Sequence, residues 1–452
     1  MLRSLSAALV AFAPSALATE RTENPGGPLV LLEESHDLPI VTLEVVVRTG
    51  SAADPEGKAG LAELTARLLR RGAARRSARQ IDEAVDRLGA TLSIEVGSSS
   101  THFTGEVLRR NLEPFLGILG DVLARPTFPA REMERLRRQM ITEVQGLRDD
   151  DESLASRFFR KALFGAHAYG RPASGTEASL AAITVDDVRR HYRTAFVASN
   201  VIVGAAGDLD RATLREGIDE SLSGLRRGKR LRVRLGAPAQ APGRRLVIVD
   251  KPDRTQAQVY IGHLGLRPTD DDYFPLTVAN TAFGGTFTAR LMKEVRSERG
   301  LSYGAYSRIG RERQPHGFWM WTFPASADVA RCVALQMELF GRFAAEGITE
   351  AELEFAKGYL VKSRAFELDT APKRLDLAVD EEVLRLPRGY HARWTASVEA
   401  VTLEAANAAV RRRIQDRDLV IVVVATASEV REGLEQAIPN LASVEVVPYD
   451  RD

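Results

Sequence analysis

Residues 57–67 read Gly-Lys-Ala-Gly-Leu-Ala-Glu-Leu-Thr-Ala-Arg. The spacing of three side chains in this stretch is the first indication of the fold. Glu63, Ala66 and Arg67 are spaced so that a helix would bring them onto neighbouring surface positions. Apolar residues alternate with them at helical spacing, which predicts an amphipathic helix over residues 63–70 with one solvated face.

These positions resemble the zinc-binding motif of the M16 metallopeptidases, the family of pitrilysin, insulin-degrading enzyme and mitochondrial processing peptidase. In that family a Gly-Leu-Ala run leads into His-x-x-Glu-His on a helix, and a further Glu ligand follows much later. Here Glu63, Ala66 and Arg67 occupy the motif positions, and Glu143, 76 residues after Arg67, is in register with the last ligand. The resemblance therefore implies a degenerate zinc motif.

The residues themselves argue against zinc. A catalytic zinc site uses about three His, Cys or carboxylate ligands around an open position for water. Glu63 and Glu143 supply at most two, and a guanidinium at Arg67 would repel the ion by roughly 8 kcal/mol at ~4 Å and an effective dielectric of ~20. Ala66 cannot accept a proton from water. We therefore expect no metal on this chain.

A second stretch, residues 283–307, reads Phe-Gly-Gly-Thr-Phe-Thr-Ala-Arg-Leu-Met-Lys-Glu-Val-Arg-Ser-Glu-Arg-Gly-Leu-Ser-Tyr-Gly-Ala-Tyr-Ser. Gly284 and Gly285 predict a tight turn, and Thr286 or Thr288 is placed to cap the helix that follows. Gly300 is placed to end that helix.

Arg296 then lies in the last turn of the predicted helix, and Tyr303 lies on the strand after it. Because side chains alternate along a strand, Tyr306 is expected to point to the opposite face from Tyr303. A fixed planar cation and a phenol aimed at one point suit the stabilisation of an oxyanion. The plainer interpretations are a helix-end cation favoured by the dipole at Arg296, and sheet packing at Tyr303.

The stretch resembles the second conserved signature of the M16 family, a Gly-rich turn, a helix, and then an Arg and a Tyr. The resemblance implies that Arg296 and Tyr303 contact the substrate carbonyl and the developing oxyanion across a central cavity. It also implies that Gly284 and Gly285 contribute to substrate binding.

The chain repeats itself at a shift of 218 to 220 residues. A helix and apolar strand that begin at Ile183-Thr184 recur from Val401-Thr402, and the helix that opens at Phe128-Pro129 recurs from Ile348-Thr349. Thr349 and Glu352 form a capping-box pattern. A constant shift across separate elements indicates duplication.

The duplication predicts an α+β protein of two homologous α/β sandwich halves, each a mainly antiparallel sheet backed by helices. We place the first half at residues 28–225 and the second at 246–452. Residues 226–245, rich in Arg, Gly and Pro, read as an exposed linker. The M16 family has this duplicated half, in the fold also found in LuxS-like metallohydrolases.

Composition excludes several classes of protein. The net charge of +1 gives no basis for binding nucleic acid or a membrane surface. The single cysteine, Cys332, rules out internal disulfides and reads as a buried thiol. Residues 1–18 combine Arg3, a short apolar run and Ala16-Leu17-Ala18, which predicts a signal peptide and a bacterial periplasmic location.

The combined interpretation is the non-zinc subunit of a heterodimeric M16B-type peptidase. A homologous partner with an intact His-x-x-Glu-His motif would hold the zinc, and this chain would supply Arg296 and Tyr303. Short or unfolded peptides would be the substrates, since a closed chamber excludes folded proteins. Two alternatives stay open: a structural or peptide-binding scaffold of the same fold, and an independent hydrolase using Glu63 and Glu143 as paired carboxylates.

Overall fold

A computed structural model of the chain describes residues 19–451, and the predicted signal peptide at residues 1–18 lies outside the described residues. Two six-stranded sheets and a small two-stranded hairpin make up the β structure. The strands are β1 (Glu20–Glu23), β2 (Leu29–Glu34), β3 (Ile40–Val47), β4 (Gly72–Ala73), β5 (Arg76–Ser77), β6 (Thr91–Val96), β7 (Thr101–Leu108), β8 (Val201–Gly207), β9 (Arg244–Asp250), β10 (Gln258–Leu264), β11 (Ser302–Ile309), β12 (Gly317–Pro324), β13 (Val420–Ala425) and β14 (Leu441–Pro448).

Helices lie between these strands in both halves. They are α1 (Leu61–Leu69), α2 (Ala78–Arg87), α3 (Leu112–Ala124), α4 (Ala130–Gly146), α5 (Asp151–Phe164), α6 (Glu177–Ala182), α7 (Val185–Ala195), α8 (Arg211–Ser221), α9 (Tyr273–Asn280), α10 (Arg290–Met292), α11 (Val329–Glu346), α12 (Glu350–Leu368), α13 (Ala371–Leu384), α14 (Trp394–Glu399), α15 (Leu403–Arg413) and α16 (Ala427–Ala437). Within residues 19–451, none of them combines the length and apolar character that crossing a bilayer requires.

The two large sheets have the same strand order. The first runs β1-β2-β8-β3-β7-β6, and the second, read from its far edge, runs β14-β9-β13-β10-β12-β11. In each sheet most neighbours are antiparallel, and the parallel pairs lie toward one edge. The edge strand itself differs between the sheets. In the first sheet it is β1, which precedes the other strands in sequence, and in the second sheet it is β14, which follows them. The remaining five positions match strand for strand, which confirms two halves of one fold.

Local sequence signals account for several element boundaries. The Thr349 hydroxyl accepts from the backbone of Glu352 and the Glu352 carboxylate accepts in return, so the predicted capping box is confirmed. Thr184 makes the same kind of box at the start of α7. In α4 the apolar spacing buries Met133, with Leu136, Met140 and Val144 on the same face.

Each sheet buries one face under helices of its own half. The second-half core gathers residues from β9 to β13 with α9, α11 and α15, and Cys332 of α11 is fully buried within it. The first-half core is built in the same way around β2, β3, β7 and β8.

The other face of each sheet is covered by a helix from the other half. Helix α5 packs Leu154, Phe158 and Phe159 against the second sheet, where Tyr260 and Val422 meet them. Helix α13 lies on the first sheet in the equivalent way, through Ala371, Leu375, Val379 and Val383. The two helices are 220 residues apart and are therefore counterparts exchanged between the halves.

Because each half covers a sheet of the other, we predict that a buried side chain between α13 and the first sheet stabilises the whole chain. Leu375 is fully buried on α13, against the backbone of Gly204 in β8. Leu375→Ala should lower the free energy of unfolding by about 2–5 kcal/mol, because it removes buried methyl groups and leaves a cavity. Urea denaturation followed by circular dichroism measures the change.

Leu38→Ala is the matched control, since Leu38 is 63% exposed and its loss should cost less than about 0.5 kcal/mol. An unchanged unfolding midpoint for Leu375→Ala would contradict the role assigned to the crossing.

Candidate functional site

Helix α1 is held in place by a buried carboxylate at its N-terminus. Asp54 accepts hydrogen bonds from the backbone nitrogens of Gly60 and Ala62, at 3.0 and 2.9 Å. Gly60 has a φ of +92°, a conformation that favours glycine, and this lets the chain enter the helix. Burial raises the pKa of Asp54 to about 7, against the opposing effect of the two backbone donors.

The degenerate motif forms a closed ion-pair cluster. The Arg67 guanidinium donates to both oxygens of Glu143 on α4, at 2.7 and 3.1 Å. Its Nε lies 3.7 Å from Glu63, one turn earlier on α1. The structure therefore brings Glu63, Arg67 and Glu143 together, and the cation sits between the two carboxylates that the resemblance aligns with zinc ligands.

The electrostatics of the cluster follow from this geometry. The hydrogen bond from Arg67 holds the pKa of Glu143 below its usual value, and the same bond raises the pKa of Arg67. Burial raises the pKa of Glu63, although the charge of Arg67 opposes that shift. Gln139 also donates to Glu143, at 2.9 Å.

The donor set does not fit zinc. Both carboxylates are already engaged by Arg67, and Ala66 is fully buried in the first-half core with no group to activate water. Among residues 19–451, no group of three or more His, Cys, Asp or Glu side chains is arranged to hold a metal. The cluster therefore ties α1 to α4 through Arg67, which takes the place that a metal ion would need between the carboxylates.

The second candidate group is an arginine stacked between two aromatic rings. Arg296 lies on a π-helical turn, Lys293–Glu298, that continues α10. Its guanidinium carbon is 4.2 Å from the centre of the Tyr303 ring and 4.7 Å from that of Phe287. Both rings are exposed, Tyr303 by 74% and Phe287 by 61%.

Phe287 was not predicted as a site residue. The signal that could have found it is its place in the quoted stretch, a large apolar side chain directly after the Gly-Gly-Thr turn. A guanidinium this close to two ring centres is attracted by both aromatic faces.

Strand β11 departs from regular alternation just after Tyr303. Its pairing with β12 shifts between Ser302 and Ala305, which adds one residue to β11. The prediction that Tyr306 faces away from Tyr303 by simple alternation is therefore unsupported, because three positions across a bulge do not imply opposite faces. Tyr306 stacks on Trp321 at 5.9 Å, away from the contacts of Arg296.

Two local predictions around this group are corrected. Helix α10 begins after Ala289 with no side-chain cap, so neither Thr286 nor Thr288 caps it. The predicted turn at Gly284 and Gly285 is a π-helical turn that continues α9.

Gly284 packs against strand β11. A Cβ there would lie 2.4 Å from the Ser307 hydroxyl oxygen and 2.6 Å from a methyl of Leu291, which requires glycine. Gly285 is half-buried beside it. A role for either glycine in substrate binding stays a prediction.

The two candidate groups are separate in this chain. Arg67 makes its ion pairs with Glu63 and Glu143, and Arg296 stacks on Phe287 and Tyr303. Within the described part of the chain no contact joins the two groups. The structure therefore contains two distinct groups, one joining α1 to α4 and one beside β11, each with its own contacts.

Comparison with known proteins places the chain in a family. Residues 29–177 match the description "Insulinase (Peptidase family M16)", and residues 182–360 match "Peptidase M16 inactive domain". An "uncharacterized zinc protease" of Mycobacterium tuberculosis (strain ATCC 25618 / H37Rv) is 30% identical over 416 residues, covering 89% of this chain and 92% of that protein. The chain belongs to the M16 peptidase family.

Other similar proteins include non-catalytic members. The "non-peptidase homolog YmxG" of Helicobacter pylori is 23% identical over 396 residues, covering 87% of this chain and 91% of that protein. A solved "peptidase M16 inactive domain" from Pseudomonas fluorescens superposes with a TM-score of 0.82 at 26% identity, covering 90% of this chain and 98% of that one. These matches support a non-catalytic protein of the M16 fold.

The geometry of the ion-pair cluster can be tested by asking whether histidines at positions 63 and 67 bind zinc together with Glu143. Changing Glu63→His and Arg67→His together places two imidazoles one turn apart on α1, beside Glu143. We expect the double variant to bind one zinc ion per chain and the unchanged protein to bind none at stoichiometric level. Elemental analysis after dialysis measures both. Ala66→Glu is left out because it would bury a carboxylate.

The matched control adds Glu143→Gln to the double variant, which should weaken zinc binding because the third ligand is lost. A double variant without zinc would show that Glu143 is not positioned as a ligand.

Proposed function

We propose that this chain is the non-zinc subunit of a two-chain M16B-type zinc peptidase. The observation that carries the proposal is the exposed stack of Phe287, Arg296 and Tyr303. Single exposed apolar side chains are common on protein surfaces, whereas neighbouring ones that form a continuous patch mark interaction or ligand sites more often. The ion-pair cluster at Arg67 supports the same division, because it leaves the metal helix without ligands.

A homologous subunit with an intact His-x-x-Glu-His motif would complete the site. The zinc held there would supply an activated water near neutral pH. This chain's own part is to bind and orient: the edge of the Arg296 guanidinium can donate to a peptide carbonyl oxygen, and the Tyr303 hydroxyl can donate to the same oxygen as negative charge develops on it.

The stack explains why these donors suit the role. A guanidinium fixed by two rings loses little conformational freedom when the substrate arrives. Among the described residues no carboxylate pairs with Arg296, so its positive charge is not neutralised before the substrate binds. Short or unfolded peptides are the proposed substrates.

The proposal predicts a loss of turnover when either donor is removed. In the complex with the zinc subunit, Tyr303→Phe should lower kcat by ~10²–10³, the usual effect of removing one oxyanion donor. Arg296→Ala should have a similar effect and also raise KM if it holds the ground-state carbonyl. Steady-state cleavage of a fluorogenic peptide measures both constants.

Tyr306→Phe is the matched control: it also removes one phenol from β11, but its ring stacks on Trp321, and turnover should stay within a few fold. Gel filtration checks that each variant forms the complex. Unchanged turnover for both Tyr303→Phe and Arg296→Ala in an intact complex would favour the structural or peptide-binding scaffold instead.

We also propose that the protein is exported to the periplasm. The support is the sequence of residues 1–18, with a basic start, an apolar run and the Ala16-Leu17-Ala18 cleavage pattern. Expression of the full chain in a bacterial host should give a periplasmic protein whose first residue is Thr19. N-terminal sequencing after cell fractionation measures this, and a cytoplasmic protein that keeps Met1 would contradict it.

A further inference from the structure

A pocket of about 200 Å³ lies where the two halves and the segment between them meet. Arg48 reaches it from the end of β3, Arg313 from the loop between β11 and β12, and Arg385 from the end of α13. Hydroxyl groups of Thr49 and its neighbours Ser98 and Ser99 complete the polar wall. The pocket therefore collects cations from three separate elements.

Several guanidinium N–H groups around this pocket have no acceptor. The Nε of Arg48, the Nη2 of Arg313, and both Nε and Nη2 of Arg230 are buried without a hydrogen-bond partner in the described part of the chain. Arg230 comes from the segment between the halves. Unpaired arginine nitrogens also occur elsewhere, as in Arg71 and Arg245, but here four of them lie around one pocket. Because buried donors are nearly always paired in folded proteins, their position beside a pocket points to a missing acceptor.

The carboxylates nearby do not supply that acceptor. Glu382 already accepts from Arg21 at 2.7 Å and from Arg48 at 3.3 Å. Glu312 accepts from the Ser99 hydroxyl at 2.7 Å. Positive charge is therefore in excess around the pocket.

The excess is also visible in the ionisation of the arginines. Burial, reinforced by the charges of Arg48, Arg385 and Arg313, lowers the pKa of Arg230 to about 10. Burial and the charge of Arg385 lower the pKa of Arg313 to about 10, while Glu312 acts in the opposite direction. A bound anion would relieve this repulsion.

We propose that this pocket is a binding site for a compact oxyanion, a carboxylate or phosphate group, held by Arg48, Arg313 and Arg385. Arg230 does not line the pocket, but it lies close enough to these three arginines to add its positive charge to theirs. Planar guanidinium groups match the oxygens of such anions and bind them through charge-assisted hydrogen bonds. This site does not depend on the proposed peptidase role, since it contains neither Arg296 nor Tyr303.

A neighbouring pocket limits the size of the anion. It shares Ser99 and Leu384 with the first and is lined by Glu44 and Asp376. One oxygen of Glu44 is buried without a partner, and burial together with the charge of Glu44 raises the pKa of Asp376 to about 6. A long polyanion that extended past Ser99 would meet these acids, so a single carboxylate or phosphate group fits better.

The test uses inorganic phosphate and the purified full chain. Phosphate should raise Tm more than chloride at equal ionic strength, because a ligand that binds only the folded state stabilises it. Arg230→Gln should raise Tm without phosphate, because it removes a half-buried guanidinium whose Nε and Nη2 have no partner, and should reduce the phosphate-dependent gain, because it removes positive charge from beside the pocket. A purely structural arginine would instead lower Tm when replaced.

Two further variants make the comparison specific. Arg385→Gln changes an exposed residue at the pocket rim and should weaken phosphate binding, measured by calorimetry, about tenfold or more. Arg79→Gln on α2, 83% exposed, is the control and should change nothing. A phosphate gain that survives both Arg230→Gln and Arg385→Gln overturns the proposal.

A pair of peptides distinguishes the two sources of the anion. Identical peptides with a free or an amidated C-terminus are titrated by calorimetry, so that no cleavage is needed. If the peptide with the free C-terminus binds and the amidated peptide does not, the pocket is assigned to a peptide carboxylate. If phosphate binds in its own titration and the two peptides bind equally, the pocket is assigned to a phosphate-type anion. If neither phosphate nor the free acid binds, the pocket is not an oxyanion site.

Discussion

The exchange of α5 and α13 between the halves is the constraint on which the rest of the structure depends. An apolar sheet face must be covered by another element of the structure. In each half, a helix provided by the other half covers the second face of the sheet. Neither half can therefore be removed without exposing apolar surface on its counterpart. The pockets at the junction are also lined by residues from both halves.

Arg67 shows how a metal site can be replaced while the fold around it is kept. A zinc ion and its ligands would bridge α1 and α4, and the guanidinium makes the same bridge with two hydrogen bonds to Glu143. A charge-assisted, two-point contact is among the stronger polar interactions available at a partly exposed site. The helix pair therefore keeps a cation between its carboxylates, although the chemistry of a Lewis acid is gone.

The sequence could predict what depends on local pattern. The duplication, the capping box at Thr349 and the register of Glu143 with the α1 motif all follow from spacing, capping chemistry or the family resemblance, whereas the ion pair between Arg67 and Glu143 was seen only in the structure. What it could not predict depends on tertiary packing. The bulge after Ser302 and the π-helical turns at Thr281–Gly285 and Lys293–Glu298 arise where helix and strand must pack closely, with Gly284 against Ser307. Propensity does not encode such fits.

The segment between the halves illustrates the same limit and its consequence. Its Arg, Gly and Pro content reads as an exposed linker, and most of it is exposed. Arg230 is among its half-buried residues, because the end of β3 and the end of α13 converge beside it once the helices have been exchanged. The composition of the segment gives no information about which arginines lie close together in space, and the packing brings four of them together. A concentration of positive charge that the neighbouring carboxylates neutralise only in part is costly to keep in a folded protein unless a ligand offsets the rest. The argument for a bound ligand is therefore stronger at the junction of the halves, where guanidinium groups are unpaired, than at the degenerate motif, where Arg67 already pairs with the carboxylates.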